Sequence, residues 1–84
     1  MFFKVVQGKE VHIFNPKDKA SFAALQAYIR DVFRQLPSKY QLNYVDEEND
    51  EITLANENDF KIMHETSSKT VKIYIKEVNE DFYD

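Results

Sequence analysis

Cysteine is absent from this 84-residue chain, which excludes disulfides, thiolate metal ligands and a thiol nucleophile together. The core must hold without staples, as in proteins of reducing compartments. Long apolar runs are missing too. None approaches the roughly 20 residues that cross a bilayer, and the opening Met1-Phe2-Phe3-Lys4 lacks the layout of a secretory signal. A cytoplasmic protein with no membrane partner is the expectation. Glycine occurs once, at Gly8, so neither a Gly-rich phosphate loop nor a Gly-x-Ser-x-Gly elbow can be built. The two histidines, His12 and His64, are separated by most of the chain, and no apolar pocket can be argued around a carboxylate pair. The residues therefore point to no enzyme and no cofactor.

What is present suits one small domain spanning residues 1–84. A hydrophobic fraction of 43% fills one core, and the length leaves no room for a second domain. The net charge of −4 conceals a division. Residues 1–45 carry seven Lys or Arg against three acids, about +4, while residues 46–84 carry four Lys against twelve acids, about −8. Phosphate binding needs Lys and Arg concentrated on one face. Here they are scattered and outnumbered, so nucleic acid is not an expected partner.

Along the chain, Phe2 to Val6 and Glu10 to Phe14 are β-branched and aromatic runs joined by Gln7-Gly8-Lys9, which predicts a hairpin. Gly8 supplies the positive φ that other residues reach with difficulty. Asn15-Pro16 closes the second strand. From Ser21 the period changes. Phe22, Leu25, Ile29, Val32, Phe33 and Leu36 recur at three- and four-residue intervals, predicting an amphipathic helix ended by Pro37. Tyr40, Leu42 and Tyr44 alternate with Gln41 and Asn43 in a third strand with one buried face. After the acidic turn Glu47-Glu48-Asn49-Asp50, Ile52 and Leu54 alternate in a short fourth strand. Asn56 can cap a second helix of about two turns, with Phe60 and Met63 inward and Glu57 and Asp59 well placed in its first turn. Past Thr66-Ser67-Ser68, Val71, Ile73 and Ile75 alternate with Lys72, Tyr74 and Lys76 in a final strand. An acidic tail, 79–84, frays beyond an ordered region of about 2–78. The order is ββαββαβ, an α+β arrangement with two helices and a mixed five-stranded sheet. This is the ubiquitin-like β-grasp plan, in which each apolar face is buried once.

Between Tyr44 and Phe60 the chain reads YVDEENDEITLANENDF and holds seven carboxylates: Asp46, Glu47, Glu48, Asp50, Glu51, Glu57 and Asp59. Like charges this close repel. Fanned from a turn that runs toward a helix N-terminus, they are offset by water, by the positive end of the helix dipole and by an external cation.

This stretch resembles the acidic signature of Phox-and-Bem-one (PB1) domains, with Tyr44, Asp46, Glu47, Glu48, Asp50, Ile52, Leu54, Glu57, Asp59 and Phe60 falling in its pattern. Asn49 stands where the family has glycine, and Glu48 replaces an Asp of the turn. Nearly the whole chain follows the family's element order. The resemblance implies a protein-interaction module whose acidic face binds the lysine face of another PB1 domain, front to back. The first-strand lysine falls at Lys4, which alternation also points outward if Phe3 and Val5 face the core. The implied acidic face is Asp46, Glu47, Glu48, Asp50, Glu57 and Asp59. The implied basic face is Lys4 with His12 and Lys9. Many self-polymerising members add arginines on the second strand, where Glu10-Val11-His12-Ile13-Phe14 offers only His12. The partners it implies are other PB1 domains, with head-to-tail pairing to a second copy as one option, and since autophagy receptors and kinase-pathway adaptors carry similar modules, an N-terminal fragment of such a scaffold is the expectation.

Two rival readings remain to weigh. Counting from Asp46 puts carboxylates at the first, third, fifth and twelfth positions of an EF-hand loop (Asp46, Glu48, Asp50 and Glu57), which makes a calcium-binding loop on a ubiquitin-like domain the alternative. Glu51 at the sixth position, where glycine belongs, and Thr53 at the eighth count against it. Conjugation as a ubiquitin-like modifier lacks its terminal glycine pair, since the sequence ends Asp81-Phe82-Tyr83-Asp84.

Overall fold

Gly8 has a φ of +58° and is the first of two loop residues between Gln7 and Glu10, the position glycine takes in a II′ hairpin turn. The turn joins β1 (Phe3–Gln7) and β2 (Glu10–Phe14) as an antiparallel pair. The computed structural model describes residues 2–16, 20–66 and 70–78. The expected acidic tail, 79–84, and the expected loop residues Ser67 and Ser68 lie outside the described residues.

Helix α1 (Phe22–Val32) opens at Ser21, whose Oγ accepts the Ala24 amide at 3.1 Å, and it buries Phe22, Leu25 and Ile29. It is shorter than its periodicity predicts. Phe33 still donates its amide to the Ile29 carbonyl, but its backbone is extended, with φ −92° and ψ 124°. From there Phe33 is buried and Leu36 packs against the core without being helical. Apolar residues in a loop serve the same core as a helix face, so the spacing ran on after the helix had stopped.

Strands β3 (Tyr40–Val45) and β4 (Glu51–Leu54) form the second hairpin; α2 (Glu57–Thr66) and β5 (Val71–Glu77) complete the chain. At ten residues, α2 is nearly three turns long rather than two, at about 3.6 residues per turn. The sheet order is β2-β1-β5-β3-β4, with β1 and β5 parallel and every other pair antiparallel. Both helices lie on one side. Phe3, Val5 and Ile73 from the sheet meet Leu25, Ile29 and Met63 from the helices, all at 0% exposure, so the core is the single layer between them. This is the expected β-grasp arrangement.

The other side of the sheet holds one departure from simple alternation. Asn43 was expected to face solvent, yet it is 6% exposed. It sits on β3 between β4 and β5. There its Oδ1 accepts from Gln41 Nε2 at 3.0 Å and its Nδ2 donates to Glu51 Oε2 at 2.8 Å, while the same Glu51 oxygen pairs with Lys76 Nζ. A buried amide is tolerated because both of its ends are satisfied.

Candidate functional site

The β3–β4 turn is built by its first acid. Asp46 Oδ1 accepts the amides of Glu48 at 3.0 Å and Asp50 at 2.8 Å. The Asp46 carbonyl accepts the Asn49 amide at 3.0 Å, and the Asp46 amide donates to the Asp50 carbonyl at 2.9 Å. Asn49 closes the turn at φ +69°. This is the three-residue hairpin loop with its last residue left-handed, and Asn tolerates that region better than most side chains. Glu47, Glu48 and Asp50 are exposed. One carboxylate oxygen each from Asp46, Glu48 and Asp50 lies within 4.8 Å of the others, a concentration of negative charge sized for one cation.

The second acidic group has other duties. Glu57 accepts the Phe22 amide on Oε1 and the Ala23 amide on Oε2, both at 2.9 Å. With Ser21 Oγ holding the Ala24 amide, the three orphan N–H groups of α1's first turn, those of Phe22, Ala23 and Ala24, are satisfied, and the regular ladder begins with the Leu25 amide on the Ser21 carbonyl. Both oxygens of Glu57 are therefore engaged within the chain. Asp59 accepts the Ala55 amide on Oδ2 at 2.9 Å, while the Asp59 amide donates to Asn56 Oδ1 at 2.9 Å. Asn56 is thus the cap the sequence predicts, and one Asp59 oxygen is left over. Burial, then Asp46, then Asp59 push the Tyr44 phenol above its ordinary value of 10.0. The geometry removes the EF-hand count: its sixth to ninth positions, Glu51–Leu54, are strand β4, and its twelfth, Glu57, caps α1.

Beside the turn opens a cleft of about 580 Å³. Asp46, Glu47 and Glu48 form one wall, Val45 and Ile62 contribute apolar surface, and Lys72 and Tyr74 stand on the β5 side.

The expected basic residues part company. Lys4 is exposed between the fully buried Phe3 and Val5, so it faces out from the uncovered side of the sheet. His12 pairs in register with Val5 and so lies on the helix side. Its ring meets that of Phe33 edge-on at 4.6 Å, and its Nε2 is 2.7 Å from Glu10 Oε2. Lys9 is in the hairpin turn at the opposite end of β1. The cation that does stand beside Lys4 is Lys72, its register partner on parallel strand β5. Alternation had already marked Lys72 as outward; the missing signal was the β1–β5 pairing, which no local pattern supplies.

A preorganised anionic turn and an outward strand lysine are thus mounted on a β-grasp scaffold, an arrangement suited to recognising charge on another protein. The sequence matches the PB1 domain family over residues 3–78, and the chain belongs to that family of protein-interaction and oligomerisation modules. No curated protein sequence matches it. Among solved structures it is similar to the "AtNBR1-PB1 domain", 20% identical with a TM-score of 0.77, over 93% of this chain and 97% of that one. It is also similar to the chain of the "Cryo-EM structure of AtNBR1-PB1 filament (L-type)", 24% identical with a TM-score of 0.75, over 90% of this chain and 94% of that one. At these identities the likeness speaks for the fold.

Proposed function

We propose that this PB1 domain binds other PB1 domains front to back, the β3–β4 turn of one gripping the strand lysine of the next. The observation that carries the reading is the set of Asp46, Glu48 and Asp50 oxygens within 4.8 Å of one another, held by a turn that Asp46 itself organises. Lys4 is the reciprocal contact. A single exposed ion pair contributes only about 0.2–1 kcal/mol, so affinity comes from several carboxylates acting together on a surface that is already ordered. Two different complementary faces make a heterologous contact, which permits open assemblies. The AtNBR1-PB1 filament is an assembly of that kind in a protein of the same family, and it supports the reading. No catalytic step belongs to it. A cytoplasmic scaffold, such as an autophagy receptor or a signalling adaptor, is the setting we propose.

The test is light scattering at rising concentration for wild type, Lys4→Ala and Asp50→Ala. Each variant alone should lose association while their equimolar mixture recovers one dimer. A mixture that stays monomeric would sink the front-to-back geometry, and association unchanged by either substitution would sink the reading.

A further inference from the structure

On its β2 side the face around Lys4 is apolar. On β2 the side chains that share its side of the sheet are Val11 and Ile13, at 51% and 56% exposure. This is an edge strand, where exposed positions are commonly guarded by charge. Ile13 is the register partner of Lys4, so their Cβ atoms are neighbours at roughly 5 Å. Cation and apolar knob are presented as one unit.

The acidic pole carries the matching pair of features. Val45 and Ile62, at 40% and 47% exposure, lie in the same cleft as Asp46, Glu47 and Glu48. The cleft therefore sorts an incoming pair, with the ammonium drawn to the turn and the apolar side chain to the surface between Val45 and Ile62.

We infer that the occupant of this cleft is Ile13 of a second copy of this chain, seated between Val45 and Ile62 as Lys4 of that copy reaches the carboxylates. The inference rests on the front-to-back reading and adds to it a determinant of partner choice. Charge complementarity selects which faces meet; the apolar contact selects a partner whose β2 edge is aliphatic over one that places cations there. It also gives association a component that salt does not screen, since exposed charge pairs weaken with ionic strength while buried apolar area does not.

Sedimentation velocity on wild type, Ile13→Ser, Ile62→Ser and Lys4→Ala, at low and high salt, decides the matter. The two isoleucines are exposed, and circular dichroism checks that both variants melt like wild type. Each should weaken self-association about tenfold, the effect of removing one well-buried contact residue, with the salt dependence kept. Their equimolar mixture should recover one heterodimer of wild-type affinity, because it unites an intact knob with an intact cleft. If both serine variants associate as wild type does while Lys4→Ala does not, the inference falls and the front-to-back reading stands. A wild type that never self-associates overturns the choice of a second copy as occupant. Association unaffected by Lys4→Ala overturns the reading beneath it.

Discussion

Glu57 shows how one residue type serves two ends that sequence alone does not separate. Its place in an acidic signature suggests a partner contact, yet both of its oxygens are held by the Phe22 and Ala23 amides. A carboxylate at a helix N-terminus satisfies orphan donors and meets the positive end of the dipole. Glu57→Ala should therefore lower unfolding stability by about 1–2 kcal/mol in urea titration. Affinity for a PB1 partner, measured where the variant is fully folded, should fall less than for Asp50→Ala. Glu51 is a second acid whose carboxylate is engaged within the chain. Hydrogen bonds from Lys76 and then Asn43 hold its carboxyl below the ordinary value of 4.5. A depressed carboxylate stabilises the fold above its unfolded pKa, and the stabilisation is lost as pH falls through the folded value. Thermal melts of wild type and Glu51→Gln should thus differ at neutral pH and converge as pH drops below 4.5. A gap that persists in acid would show that the contribution is not ionic.

Secondary structure was largely legible because the two periods are local properties of the chain. The strands, the Gly8 turn and the Asn56 cap could all be read from runs of a few residues. The errors fell where tertiary packing overrode the local pattern: α1 stops at Val32 while Phe33 and Leu36 serve the core from non-helical chain, and Asn43 is buried between its hairpin partner β4 and β5, a strand that neighbours β3 only in space. The β3–β4 turn gives the sharpest test at this scale. Asn49 occupies φ +69°, a region that disfavours a Cβ by about 1–2 kcal/mol in most residues and by less in Asn. Asn49→Ala should destabilise the protein by about 1 kcal/mol, whereas Asn49→Gly should stay within about 0.5 kcal/mol of wild type. If the turn geometry sets the spacing of Asp46, Glu48 and Asp50, the alanine variant should also bind a PB1 partner more weakly than the glycine variant does, as calorimetry can measure.

The polarity of the whole molecule, basic before residue 46 and acidic after it, was plain in the sequence. Which cations lie side by side on the sheet was not, because that depends on which strands are neighbours. Lys4 and Lys72 are register partners. Lys9 is further from Lys4 than Gln7, which alone is about 10 Å away at 3.3 Å per residue, and His12 faces the helices. Exposed charges more than about 8 Å apart are largely screened at physiological salt, so an approaching acidic turn feels Lys4 and Lys72 together and Lys9 weakly. Charges at the rim of a contact act chiefly on the rate of encounter. Stopped-flow association with an acidic-faced PB1 partner should therefore slow several-fold for Lys72→Ala, with a shallower dependence on salt, while Lys9→Ala and His12→Ala stay close to wild type. Should Lys9→Ala slow encounter as much as Lys72→Ala, the partner approaches along the β1–β2 hairpin, and the pairing of β1 with β5 does not define the basic face.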